Sequence, residues 1–233
     1  MTSYTFIDRY FHSANELLDI RYKENRDINT LYQYLGNLHS TGDKLLLNFN
    51  CNIKNYVEFK ILRIIRNYFH HCNDINEIRL EINTIPNITV SHFEFLIIPM
   101  EVWGLSLKSF YMTNKKKINF IKKEMLSIYE YNPDLVLDEK IIDNYCNHPS
   151  LKLDGVIYEL GFDIYKFVYN ITNIIADKCR IINDLACLPV IKDLDHTYTE
   201  SNNIEKKDMS SLVGITPILT TKGYIYAKKI SMA

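Results

Sequence analysis

From Ile61 to Cys72 the chain reads I-L-R-I-I-R-N-Y-F-H-H-C, and the reading of this stretch decides the fold. An apolar run ends in two arginines, an asparagine and two adjacent histidines. Projected at about 100° per residue with Arg66 at zero, His70 falls near ~40°, Arg63 near ~60°, Asn67 near ~100°, Lys60 near ~120° and His71 near ~140°. Val57, Ile61, Leu62, Ile64, Ile65, Tyr68 and Phe69 fill the other side, with Phe59 the one misfit. The spacing therefore predicts an amphipathic helix with one face to bury and one face that is cationic and titratable.

Those residue types suit a phosphodiester. A guanidinium offers a fixed fork of donors to phosphate oxygens. Imidazole exchanges a proton near neutrality, and Asn67 can orient either partner. Asn73-Asp74 follows at once, a pair typical of helix ends. His70 and His71 are thus expected at a helix C-terminus, where the dipole favours imidazolium. Glu58 and Asp43 are candidate supporting acids that would hold an imidazole or Arg66; the plainer reading makes both solvated helix residues.

Arg66-Asn67-x-x-x-His71 resembles the R-N-x-x-x-H signature of HEPN-type ribonucleases, small all-α domains of toxin–antitoxin, abortive-infection and CRISPR-linked effectors. The likeness covers roughly Tyr4 to Ile78. Arg63-x6-His70 fits the looser form of the motif. The resemblance implies metal-independent cleavage of tRNA or mRNA, with no cofactor. Arg66 would neutralise the scissile phosphate, His71 would move the proton, and Asn67 would position one of them, helped by His70 or Arg63. It also implies a symmetric homodimer and an antitoxin or regulatory partner. Toxins silenced by a nucleotidyltransferase often carry Tyr two residues after the histidine; Asn73 stands there instead. The competing reading is a non-catalytic helical interaction module that keeps the fold. A metal site on His70, His71 and Cys72 is disfavoured, because neighbouring helical residues point in different directions.

At 233 residues the chain suffices for one large domain or two small ones, and its 47% apolar content argues for a folded core. Only 7 Gly and 6 Pro favour long helices over a turn-rich β fold. The net charge of −1 excludes a dedicated nucleic-acid coat, so any such contact must be a local patch. Five cysteines without C-x-x-C, and no signal peptide, predict reduced thiols in a cytoplasm. No apolar run reaches 18 residues, so no spanning helix is expected.

Expected elements follow in order. Ser3 to Arg21, Asp27 to Asn48 (interrupted at Gly42) and Asn52 to His71 form a three-helix unit within residues 1–80. Ile75 to Thr89 is a short strand or connector. Ser91 to Tyr111, with Trp103, forms buried helices broken near Pro99 or Gly104. Thr113 to Tyr131 is a basic amphipathic helix whose Lys115, Lys116 and Lys117 form, with Lys60, a phosphate track for RNA or merely a soluble surface. Leu137 to Cys146 and Gly155 to Leu188 are further helices of an additional region, residues 81–191. A polar loop, Lys192 to Asp208, precedes a β-hairpin turning at Lys222-Gly223. Asp193, Asp195, His196 and Glu200 lack metal-site spacing. The expected class is mainly α: a HEPN-like bundle, further helices and a small terminal hairpin.

Overall fold

The computed structural model describes residues 4–26, 29–71, 77–81, 88–89, 92, 94–137, 142–143, 145–147, 149–205, 210–211 and 216–227. The fold is mainly helical with small antiparallel sheets. Helices α1 (Thr5–Leu18), α2 (Thr30–Phe49) and α3 (Val57–His71) correspond to the three helices expected from periodicity, each shorter than predicted. In α1, Phe6, Tyr10, Ala14 and Leu17 recur one turn apart and are all buried. The expected cap, Ser3, lies outside the described residues, as do Cys72, Asn73 and Asp74. Asn50 closes α2 in the left-handed region at φ 52°, and its N–H reaches the carbonyls of Leu45 and Leu46.

Gly42 does not break α2. A Cβ there would lie 2.8 Å from Cε2 of Phe59, so this glycine marks where α3 presses its aromatic ring onto the α2 backbone. Phe59 is accordingly 1% exposed and belongs to the core, not to a solvated face.

The region expected to be helical from Ser91 opens instead with a strand. β1 (Ile78–Glu81), β3 (Glu94–Pro99) and β6 (Gly161–Asp163) form an antiparallel sheet in the order β1-β3-β6. Ile97 opposes Ile78 on one side and Asp163 on the other. Phe95 to Ile98 are all buried, so this central strand shows no alternation. The chain then enters α4 (Met100–Asn114) directly, and Gly104 lies within that helix against Tyr145. Trp103 is fully buried and donates its indole N–H to the Leu135 carbonyl at 3.0 Å.

Lys115 to Lys117 form a turn before α5 (Ile118–Tyr131), so these lysines precede the basic helix rather than lie within it. The expected helix Leu137 to Cys146 falls partly outside the described residues. Residues after Gly155 are likewise not helical at first. β4 (Ser150–Leu153) and β5 (Val156–Glu159) form a hairpin turning on Asp154 (φ 50°) and Gly155 (φ 81°), the pair of positive φ values such a two-residue turn requires. Helix α6 (Tyr165–Ile181) follows β6, with the short helices α7 (Asn183–Ala186) and α8 (Pro189–Lys192).

The polar segment after Lys192 is largely irregular, as expected, but it is stapled to α6. Asp177 accepts hydrogen bonds from Thr199 Oγ1 at 2.9 Å and the Glu200 N–H at 2.8 Å. Asn170 exchanges two hydrogen bonds with the backbone of Ile204. β2 (Ile88–Thr89) pairs with β7 (Ser210–Ser211). The terminal hairpin, β8 (Thr216–Thr220) and β9 (Gly223–Ala227), turns through Thr221 and Lys222 and meets β3 where Tyr224 packs edge-on against Phe95.

One apolar core runs through α1 to α6, and α3 lies at its middle, packed on α2, α4, α5 and α6. No helix among the described residues is long and apolar enough to cross a membrane. Cys51, Cys146, Cys179 and Cys187 are free thiols.

Candidate nucleic-acid interface

Because α3 has helices on so many sides, its polar residues divide into two stripes. Phe59, Arg63, Arg66 and His70, spaced i, i+4, i+7 and i+11, fall within about 60° of one another. Lys60, Asn67 and His71 fall within about 40° of one another on an adjacent line. Flanking helices determine what each stripe meets.

On the α2 side, the imidazole of His39 stacks on Phe59, with centroids 6.4 Å apart and planes at 25°. Its Nε2 lies 3.8 Å from Oδ2 of Asp43, one turn further along α2, and Asp43 also ion-pairs with Lys54. His39 Nδ1 is buried without a hydrogen-bond partner. Burial, then the nearby Arg66 guanidinium, push the His39 pKa below its ordinary value. The His39 ring thus lies within electrostatic reach of Arg66. Sequence reading missed this residue, although His39 and Asp43 share the i, i+4 spacing that places them on one face.

On the α5 side, Glu124 collects the first cations of both stripes. Its Oε2 accepts a hydrogen bond from Arg63 Nη2, and its Oε1 lies 3.8 Å from Lys60 Nζ. Lys60 is 6% exposed and donates to Ser127 Oγ at 2.8 Å. It is therefore a buried structural ion, not part of an RNA track; a partner from α5 removes it from solvent. The Arg63 guanidinium lies 5.8 Å from the centre of the Phe120 ring. Lys60 meets Ser127 and Glu124, whereas Arg63 meets Glu124 and Phe120. Helix α5 therefore runs antiparallel to α3 and brings Lys115 to Lys117 toward the histidine end. All three lysines are exposed.

At that end Arg66 Nη1 donates to Asn67 Oδ1 at 3.3 Å, both residues half-buried. His70 and His71 are exposed, their rings edge to face at 4.7 Å. Within two turns, then, α3 carries a half-buried guanidinium hydrogen-bonded to Asn67 and two exposed imidazoles, with Arg66 and His71 about 140° apart around the helix axis. Arg63 stands nearby but is already paired. The supporting acids stand elsewhere. Glu58 is 6% exposed and shares hydrogen bonds with Asn170 and Tyr131 in the core, where burial raises its pKa. It lies about two turns before Arg66 on the buried side of α3. Asp43 serves Lys54 and His39 rather than the motif itself.

Beside Phe120, an open cleft of about 640 Å³ is lined by Asn114, Lys116, Lys117, Ile118, Asn119 and Phe120. Another, of about 520 Å³, lies between α1 and the segment after α8, around Asp19, Tyr169, Asp193 and Tyr198. No residue of α3 lines either cleft; the tie between α3 and the first is the contact of Arg63 with Phe120. Among the described residues no three His, Cys, Asp or Glu side chains converge as metal ligands. No family model, curated protein or solved structure matches the chain.

Proposed function

We propose that the chain is a HEPN-like, metal-independent endoribonuclease acting at the end of α3. The observation that carries this reading is the Arg66–Asn67 hydrogen bond on a helix end that also exposes His70 and His71. In the proposed reaction the ribose 2′-oxygen attacks the adjacent phosphorus and the P–O5′ bond breaks. The products are a cyclic phosphate and a 5′-hydroxyl. The proton leaving the 2′-hydroxyl is taken up by an imidazole, and one is returned to the departing 5′-oxygen. Arg66 neutralises the charge that grows on the phosphate oxygens. His71 handles the proton, with His70 or the same histidine of a second copy as its complement. A homodimer would bring two such helix ends to one cleft. The biological setting that fits is phage defence or a toxin, restrained by an antitoxin or regulatory protein.

One observation favours a second reading, a nucleic-acid-binding module without cleavage. Arg66 and His71 are five residues apart, which turns them about 140° from each other on one helix. Purified protein incubated with RNA in excess EDTA separates the two. Cleavage that disappears in both Arg66→Ala and His71→Ala is the expected result. RNA binding without cleavage, or cleavage only on addition of metal, overturns the proposed chemistry.

A further inference from the structure

The turn between α4 and α5 carries an exposed surface that solubility does not explain. Lys115, Lys116 and Lys117 are exposed, but so are their apolar neighbours Met112 at 64%, Ile118 at 60% and Phe120 at 37%. Lysines alone would serve to keep a turn in water. An aromatic ring left half open beside them adds a flat apolar wall to a cationic rim. The wall is held in place: Phe120 packs on Phe110 at 6.0 Å, and the Arg63 guanidinium sits 5.8 Å from its ring centre, fixed by Glu124. The floor is ordered as well, because the Lys117 N–H donates to the Asn114 carbonyl at 2.6 Å and the Asn114 amide donates to the Phe110 carbonyl at 2.9 Å. Between them lies an open depression of about 640 Å³.

A planar base stacks on such a ring whatever its identity, and cations beside it hold the flanking phosphates. A paired base cannot reach the wall, because both its faces are covered in the duplex. We infer that this cleft binds one unpaired nucleotide of a single-stranded nucleic acid, its base on Phe120 and its neighbouring phosphates on Lys116 and Lys117. The inference deepens the proposed function by naming unpaired RNA as the substrate. It concerns binding alone, and so is testable apart from the chemistry.

The test is fluorescence anisotropy of the full chain with three labelled probes of equal length: oligouridylate, oligothymidylate and a DNA duplex. Oligothymidylate has no 2′-hydroxyl and cannot be cut by the proposed reaction. Both single strands are expected to bind more tightly than the duplex. Phe120→Leu keeps an apolar group on Phe110 and is expected to weaken single-strand binding about tenfold, while Phe120→Trp retains it. Replacing Lys116 and Lys117 with Gln is expected to lower the slope of log affinity against log salt by about 1.4. Equal affinity for duplex and single strand overturns the inference. So does unchanged affinity in Phe120→Leu with the melting temperature preserved. A Phe120→Leu protein that changes from dimer to monomer by light scattering yet binds as before also overturns it, and marks the face as a self-association surface. Wild-type protein that binds oligothymidylate but never cuts RNA sinks the nuclease reading and leaves this one standing. RNA cleavage with Phe120-independent binding does the reverse.

Discussion

Glu124 is the side chain whose removal tests the electrostatic reading of α3 most directly. Its carboxylate is 8% exposed as a side chain and sits between Lys60 at 7% and Arg63 at 17%. Glu124→Gln keeps the volume and one acceptor oxygen, so the hydrogen bond from Arg63 can persist in neutral form. It also removes the charge that Oε1 holds 3.8 Å from Lys60 Nζ, whose hydrogen bond to Ser127 Oγ remains. Gross attraction between unit charges about 4 Å apart is on the order of 4 kcal/mol at an effective dielectric constant near 20. The net loss on removing one member of a buried pair is about 3–5 kcal/mol, because the remaining ion stays desolvated. With about 2.1 cal/mol/K of unfolding entropy per residue, that loss lowers the melting temperature of a 233-residue chain by about 6–10 °C. The same substitution frees the Arg63 charge beside Phe120. Affinity for single-stranded nucleic acid is therefore expected to rise, with a salt slope steeper by about 0.7. Calorimetry and anisotropy read the two limbs independently. A fall in melting temperature of under about 2 °C refutes the argument, since it corresponds to only about 1 kcal/mol and means that solvent already screens the trio.

Three further outcomes are expected. Gly42→Ala places a methyl group 2.8 Å from the Phe59 ring, so overpacking is expected to cost about 1–3 kcal/mol by chemical denaturation; an unchanged midpoint would mean that the α2–α3 contact is looser than described. Burial raises the Glu58 pKa above its ordinary 4.5. Its contribution to stability is therefore present below that value and lost as pH rises through the folded pKa. Melting curves from pH 4.5 upward should show a shallower decline in Glu58→Gln than in wild type, and parallel curves would place the carboxyl in solvent. Finally, the His39 resonances should titrate below the ordinary imidazole pKa of 6.5, and Arg66→Ala should move that midpoint upward, because Arg66 is the largest charged contributor to the depression. A midpoint that ignores Arg66→Ala would separate His39 from the motif.

What was legible in the sequence, and what was not, follows from the range of each interaction. The apolar half of α3 is readable because a 3.6-residue period is a local property. Phe59 looks misplaced until Gly42 supplies a glycine on the facing helix to receive it. Lys60 reads as solvated because the acid that buries it comes from α5, and its neighbour Arg63 is 61 residues from that acid. Phe95 to Ile98 form an apolar run too short for periodicity to separate a doubly buried strand from a helix; the β-branched pair Ile97-Ile98 before Pro99 was the available discriminator. Asp154-Gly155 was a local and sufficient hairpin signal that a helix beginning at Gly155 passes over. At the candidate site, the motif residues were legible, but the His39–Phe59 stack was not, because it joins two helices; the Phe120 cleft lies within residues 114–120, and only its contact with Arg63 of α3 is long-range.

The flanking helices also constrain how RNA would lie. Arg66 falls on the stripe that begins at Phe59 beneath His39, whereas Asn67 and His71 fall on the stripe that begins at Lys60 against α5. A phosphate held by Arg66 and served by His71 would therefore have to bridge the two stripes of α3 rather than lie along one of them. Because α5 runs antiparallel to α3, with Phe120 level with Arg63, a strand leaving the Arg66 stripe toward α5 would meet Phe120 and then Lys117. The proposed cutting point and the proposed base cleft thus lie on one path, with separate chemistry at each. Single-strand affinity should survive Arg66→Ala better than Phe120→Leu, whereas cleavage should be lost completely in the first and only weakened in the second. The opposite pattern would mean that Arg66 anchors the strand and that the cleft at Phe120 is not on its path.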